Sequence, residues 1–430
     1  MERLAISGGR PVRAQGDWPA WPQFDDSTRA SLLSALESSR WTVSWPSRLG
    51  GQALERTFAE QFADYHGVPH CVAVDHGSSA LLVALEALDV GAGDEVVVPA
   101  ATWVATASAV LRAGALPVIA DVDPETGCLT PETVRAALSA RTKAVVVVHL
   151  ACTVADIDGL LSLTDAHGIP LVEDCAQAHG ALWRGRPVGT FGALGTFSFQ
   201  QGKVLSGGEG GAVITSDERL YRRVQELRAD SRSYAPVDVP PGEMEIVQSG
   251  TVIGANYCLS DFHAAVLIDQ LPRLDAQHEW REAMAERLIG KLGALGDDFT
   301  GIPVPTACDR RSIYKFGIRF RPDTFGPASV TRVAQALSAE LGRAVYPADD
   351  PLYRNVLFRP ETKARFARIW DEEGRRQAIE RPYPGAEAYQ AGTLLFHHSA
   401  LLVDEGAVDD LAEAFAKVQR LADQLEAVRV

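Results

Sequence analysis

At 430 residues the chain exceeds what one compact core usually holds, so two domains around a deep shared interior are expected. A formal charge of -15, with no cluster of lysine and arginine, argues against nucleic acid or an acidic membrane surface as a partner. No stretch approaches the roughly 20 apolar residues of a membrane span, and the charged, proline-bearing start lacks the apolar run of a signal peptide, so a cytoplasmic protein is expected.

Residues 1–30 read as an N-terminal arm. From about residue 60 to 270, short β-branched runs alternate with helical stretches, the pattern of a mostly parallel sheet covered on both faces. The strands are HCVAVDH around Val72, DEVVVPA around Val97, LPVIADV around Ile119, TKAVVVVHL around Val146, IPLVEDC around Val172, GTFSFQ around Phe197 and GAVITS around Val213. Helix-compatible runs such as SSALLVALEAL lie between them, and residues 31–270 form a large α/β domain in this reading. The polar, proline-bearing segment 236–251 reads as an inserted loop that serves as a lid or an interface. After Leu271, LDAQHEWREAMAERLIGKL reads as a long linking helix, and the mixed region around YKFGIRF as part of a smaller C-terminal α/β domain over residues 271–430. In the last helix Val408, Leu411, Phe415, Val418 and Leu425 make an apolar stripe assigned to packing. The six cysteines are scattered without a CxxC pair, as reduced thiols are, and no metal site is expected.

Lys203 is the only charged residue between Phe191 and Gly208, within FGALGTFSFQQGKVLSGGEGG. A lone amine among aromatics and glycines is what a Schiff-base lysine needs, because desolvation disfavours the ammonium and frees the lone pair. Taken alone, the segment fits a solvated lysine on a glycine turn at least as well. Asp174 falls at the carboxyl end of the strand IPLVED, where open α/β sheets place ligands, and it fits a helix cap equally. Facing a ligand, its carboxylate would hold the pyridine nitrogen of pyridoxal phosphate protonated, with Lys203 meeting the same ring from the next strand end. Gly77, Ser78 and Ser79 stand between a strand and a helix, where N–H groups and hydroxyls converge on a phosphate, and Ser198 of TFSFQ is a further donor. The bare GSSAL pattern is also an ordinary helix start. Trp103, in PAATWVATA, suits stacking on a pyridine face or filling a core.

The segments GSSAL, PAATWVATA, VEDCAQAHG (172–180), FSFQQGKVLSGGEGG (197–211) and GANYCLSDFHAAVL around Asn256 together give a specific resemblance. Over nearly its full length the chain resembles the sugar aminotransferases of the DegT/DnrJ/EryC1/StrS family. That resemblance implies the pyridoxal-phosphate-dependent fold type I architecture, with Lys203 attached to the cofactor, Asp174 at its ring nitrogen and Gln177 near its phenolic oxygen. It also implies Ser78 and Ser198 at the phosphate and Asn256 reaching the phosphate of a neighbouring subunit, hence a homodimer with shared active sites. Within the family, FSFQQGKVL, LRADSRSY, GANYCLSDF and HHSALL are most similar to the L-glutamine:scyllo-inosose and 2-deoxy-scyllo-inosose aminotransferases of aminocyclitol antibiotic pathways.

The implied activity is ping-pong transfer of an amino group from L-glutamine or glutamate to a cyclic ketone. Alternatives are a nucleotide-linked ketosugar as acceptor, an aminating dehydratase like the 3-amino-5-hydroxybenzoate synthases that PAWPQFDD and HHSALL also resemble, and a non-catalytic cofactor-binding protein. Lys203 argues against the dehydratase relatives that carry histidine in its place. The glycines Gly207, Gly208, Gly210 and Gly211 follow the lysine rather than forming GxGxxG after a first strand, which argues against a nicotinamide dehydrogenase. Tyr234, Arg232 and His398 are candidates for holding the donor carboxylate. The chain departs from the branch at Ala151 and Cys152, at Asp349 and Asp350, and in WTVSWPSRLGG after Trp41, and these places are expected to face the substrate.

Overall fold

The computed structural model describes residues 2–14, 16, 18–46, 51–235, 239–369 and 381–425. Along the first half of the chain come β1 (His70–Val74), β2 (Glu95–Pro99), β3 (Leu116–Ala120), β4 (Thr142–Val148) and β5 (Leu171–Asp174). A two-residue hairpin, β6 (Leu182–Trp183) and β7 (Arg186–Pro187), precedes β8 (Leu194–Ser198) and β9 (Gly211–Thr215). Seven of these strands form one sheet in the order β1-β9-β8-β5-β4-β2-β3. Every neighbouring pair is parallel except those of β9, which runs antiparallel to both β1 and β8. Val96 to Val98 and Ala144 to Val147 are wholly buried, as continuous apolar strands must be when helices cover both faces of a parallel sheet. Helix Gly77–Ala87 is apolar nearly all round, with Ala80 to Leu85 and Ala87 buried, so it runs through the interior.

This topology gathers loops at one edge. β1, β8, β5, β4 and β2 point the same way, so their carboxyl ends open together, the usual ligand-binding edge of such a sheet. Because β9 runs the other way, it begins at that edge, with Gly211 paired to both Val74 and Ser198.

The segment expected as a plain loop is partly a ribbon. β10 (Arg232–Tyr234) pairs antiparallel with β11 (Ile246–Gln248), while residues 236–238 between them lie outside the described residues. Its base is anchored by the buried Glu55 carboxylate, which accepts from the Tyr234 hydroxyl at 2.7 Å and lies 3.2 Å from the Arg228 guanidinium.

Beyond helix Leu274–Gly293 come β12 (Phe299–Gly301), β13 (Cys308–Arg310), β14 (Lys315–Phe320), β15 (Val345–Pro347) and β16 (Thr393–His397). Four make an antiparallel sheet, β12-β14-β16-β15, while β13 crosses over to pair with β6. Helix Glu405–Arg420 buries Val408, Leu411, Phe415 and Val418 against this sheet and its neighbours, Phe415 meeting Phe299 edge to face at 5.6 Å. Each such side chain withdrawn from water stabilises the fold by roughly 1.5–3 kcal/mol. The start of β14 and the residues just after β15 face the open edge of the large sheet, which completes the site.

Candidate active site

Strand alternation decides which side chains reach that edge. On β8 and just past its end, Phe197 and Phe199 point into an aromatic cluster, each edge to face with Phe62 at 5.0 and 5.3 Å, so Ser198 between them turns to the cavity. On β5, Glu173 and Asp174 likewise part company. Glu173 is buried and accepts N–H bonds from Gly189, Phe191 and Gly192 at 2.7–2.8 Å, with the His149 ring at 3.3 Å, which ties down the loop before β8. Glu173, His149 and Cys175 lie within 4.8 Å of one another, but the carboxylate is already spent on these N–H groups. Asp174 faces the cavity instead. Its Oδ1 accepts from Ala176 N–H at 3.1 Å and its Oδ2 from the Thr106 hydroxyl at 3.0 Å, and Thr106 is bonded in turn to Thr102.

Lys203 enters the same cavity from the turn after β8, where its N–H donates to Gln200 C=O at 2.8 Å. Its Nζ lies 4.1 Å from the centre of the Tyr314 ring. Desolvation lowers its pKa to about 8; Asp174 and Asp349 work against this shift and Lys315 with it. At pH 7 roughly a tenth of the amine is therefore unprotonated, far more than an exposed lysine offers. Burial raises the Asp174 pKa, opposed by its two hydrogen bonds and by Lys203. The carboxylate thus favours a cationic N–H partner, which would restore its charged form.

At the other end of the cavity is a cradle. Helix Gly77–Ala87 begins after His76, which gives it no side-chain cap, so its first N–H groups and the Ser78 hydroxyl turn to the cavity beside Ser198. A Cβ on Gly77 would stand 2.5 Å from Ser198 Cβ, and one on Gly211 would stand 2.6 Å from the His76 backbone. Two glycines thus let the strand ends and the helix start close to a gap that suits a phosphate. Cradle, carboxylate and amine fit a phosphorylated pyridine aldehyde. Trp103, about half exposed, lines the cavity wall, and Gln177, nearly buried, lines its floor.

The cavity, about 370 Å³, adjoins a larger cleft of about 1010 Å³, and both are lined by Gln200, Tyr314, Lys315 and Asp349. The cleft does not reach Lys203; it runs under the N-terminal arm at Trp18 and Trp21 and past Arg343 and His397.

Of the residues singled out by the sequence, Gly77, Ser78, Trp103, Asp174, Gln177, Ser198 and Lys203 line this one cavity. Ser79 does not, because the helical turn carries it onto the buried side. Asn256 lies apart, bridged to Ala229 and accepting from Cys258 N–H at 3.2 Å. Tyr234, Arg232 and His398 also line neither opening: Tyr234 serves Glu55, Arg232 pairs with Asp230 at 3.2 Å, and His398 packs edge to face on Trp21 at 4.5 Å.

The departures expected to face substrate divide. Asp349 lines both openings and Asp350 the cleft only, whereas Ala151 and Cys152 are buried. Ala151 acts at one remove. Held at φ 56°, it donates its N–H to Gln177 Oε1 at 2.8 Å, and its C=O accepts from the Tyr314 and Lys315 N–H groups at 3.0 and 3.3 Å. Trp41 packs on Phe262 at 5.3 Å, and residues 47–50 lie outside the described residues. Sequence reading missed Thr106, although it lies within PAATWVATA, and also Tyr314 and Lys315, whose only signal was the aromatic–lysine pair that begins YKFGIRF.

Comparison with known proteins gives this geometry its class. The crystal structure of 3-amino-5-hydroxybenzoic acid synthase, 33% identical, superposes with a TM-score of 0.80 over 94% of this chain and 99% of that one. L-glutamine:2-deoxy-scyllo-inosose aminotransferase of Streptomyces fradiae is 47% identical over 417 residues, 97% of each chain. L-glutamine:scyllo-inosose aminotransferase of Streptomyces griseus is 46% identical over 415 residues, 96% of this chain and 97% of that one. The DegT/DnrJ/EryC1/StrS aminotransferase family matches residues 29–369. Fold and likeness define a pyridoxal-phosphate-dependent aminotransferase of fold type I. Within that class the chain belongs to the DegT/DnrJ/EryC1/StrS family.

Proposed function

We propose that this aminotransferase moves an amino group from L-glutamine to the ring ketone of a polyhydroxylated cyclitol, in two half-reactions sharing one cavity. The observation that carries the reading is identity of 46–47%, over nearly the whole chain, to enzymes whose names state that donor and such acceptors. The cavity agrees in chemistry: it is small, rich in hydroxyl, amide and carboxylate groups, and suited to a neutral ring bearing several hydroxyls. Bound pyridoxal phosphate supplies an electron sink that makes the donor α-carbon acidic.

The chain's own residues supply the rest. Lys203 holds the cofactor by its amine and, once released, takes up and returns a proton at Nζ, a task suited to a pKa of about 8. Asp174, oriented by Ala176 and Thr106, accepts from the ring N–H and keeps it charged. Gly77, Ser78 and Ser198 would bind the phosphate, Trp103 would cover the ring, and Gln177, oriented by Ala151, would meet the phenolic oxygen. In this division residues 31–270 carry the cofactor, while 271–430 bring Tyr314, Lys315 and Asp349 to it.

We further infer a homodimer in which Asn256 serves the neighbouring subunit's phosphate. In support, Asn256 lies outside its own chain's cavity, and Leu33, Leu36, Trp41, Trp45 and Ile253 expose large apolar surface, Ile253 to 94%. A reducing cytoplasm is the proposed compartment, all six cysteines being free thiols and no helix among the described residues being long and apolar enough to cross a membrane.

The test is a panel of ketones offered with L-glutamine and scored for aminated product by mass spectrometry. Amination of scyllo-inosose or its 2-deoxy analogue is expected. Amination of a nucleotide-linked ketosugar alone would replace this reading.

A further inference from the structure

A ping-pong aminotransferase must admit two unlike molecules to one place. The donor brings a carboxylate; a cyclitol ketone brings only hydroxyls. A fixed cation would bind the first and leave itself buried and unpaired against the second, and a fixed anion would repel the first. The cavity lining holds both charges at once. Lys315 opens β14 and Asp349 follows β15, strands that flank β16, and Lys315 Nζ stands 3.5 Å from Asp349 Oδ1. Their side chains are 23% and 37% exposed, and both line the Lys203 cavity and the cleft leading to it.

Three observations fix what this pair can do. The contact is long for a charge-assisted hydrogen bond and partly in water, so it opens readily. Apart from Lys203, Lys315 is the one lysine or arginine lining the cavity among the described residues. Arg343 lines only the cleft and is bonded to Ser399. Finally, the Lys315 backbone is pinned, its N–H to Ala151 C=O at 3.3 Å and its register to His397, so motion is left to the side chain.

We propose that Lys315 and Asp349 form an exchangeable pair, Lys315 leaving Asp349 to receive the donor carboxylate, and Asp349 accepting hydrogen bonds from the acceptor's hydroxyls when that ketone replaces the donor. The proposal rests on the amino-transfer reading above. Each partner neutralises the other while the cavity holds no substrate, and when Lys315 turns to the donor, Asp349, 37% exposed, is left to water rather than buried alone.

The half-reactions separate the two roles. L-2-methylglutamine, which has no α-proton to lose, is titrated calorimetrically into the cofactor-loaded protein, and scyllo-inosose is mixed with the pyridoxamine-phosphate form. Lys315→Met is expected to weaken the glutamine analogue about tenfold while changing the half-saturating ketone concentration less than about threefold, and Lys315→Arg to restore the analogue. Asp349→Asn is expected to do the reverse, raising the half-saturating ketone concentration about tenfold and leaving the analogue as tight or tighter. Unchanged binding in both variants, or equal losses in both half-reactions, would overturn the proposal. If the native protein aminates no cyclitol ketone, the proposed function fails by itself, and analogue binding still decides the Lys315 half.

Discussion

Asp174 is held by two neutral donors, the Ala176 N–H and the Thr106 hydroxyl, and among the described residues by no direct ion pair, although burial raises its pKa. A carboxylate so placed is costly until a cationic N–H meets it, a need that suits the role proposed for it at the cofactor's ring nitrogen. Asp174→Asn keeps the shape and removes the charge. It is expected to lower kcat by about 10²–10³-fold with the protein still folded and the phosphate still bound, as steady-state rates and a cofactor titration would show. Gln177 shows the limit of residue-level reading. Nothing in its own neighbours marks it, and its orientation comes from Ala151, held at φ 56°, a conformation costing about 1–3 kcal/mol in a non-glycine residue and kept by the three hydrogen bonds Ala151 makes.

At the scale of elements, the large sheet was legible because its strands are short, continuously apolar and punctuated by turns, and because several site residues close a strand or open a helix. Asp174 and Ser198 end β5 and β8, and Gly77 starts the helix after β1. The serine pair was legible only to that level. Successive helical residues are turned by about 100°, so Ser78 faces the cavity and Ser79 the interior. Tyr314, Lys315 and Asp349 were harder to place, since they come from another sheet and nothing in their spacing from Lys203 reports how the two sheets dock.

The close approach of helix and strand at the cradle carries its own prediction. Gly77→Ala puts a methyl 2.5 Å from Ser198 Cβ, with backbone behind it. Cofactor affinity, read by absorbance titration, is expected to fall at least about tenfold, with a stability loss of about 1–3 kcal/mol. Unaltered affinity would remove the cradle from the account.

For the molecule as a whole, several histidines are kept neutral by the core. Desolvation lowers His66 and His397 to about 4 and His179 to about 3. Between about pH 4 and 6.5 the unfolded chain binds protons that these folded residues refuse, so their contribution is complete above 6.5 and is lost as pH falls toward 4. Glu55 and Asp174, raised by burial, pull the opposite way, so the share of one histidine needs a variant. His66 sits against Phe62 and Phe197 at 4.3 and 4.8 Å, and His66→Phe removes its titration. Relative to the native protein, the loss of unfolding free energy between about pH 7.5 and pH 5 is expected to shrink by about 2 kcal/mol, measured by denaturant titration at the two values.

The two-sheet layout itself followed from sequence texture, but the completion of the cavity by its second sheet did not, and Asn256 lies outside that cavity. In the proposed function one amine joins all scales, since cofactor binding and proton movement would both depend on it. Borohydride reduction of the protein loaded with pyridoxal phosphate fixes the cofactor to whichever amine holds it, and peptide mapping then locates it. The account predicts the label on Lys203, and no label or transamination in Lys203→Ala. A label on another lysine, or full transamination by Lys203→Ala, would contradict it.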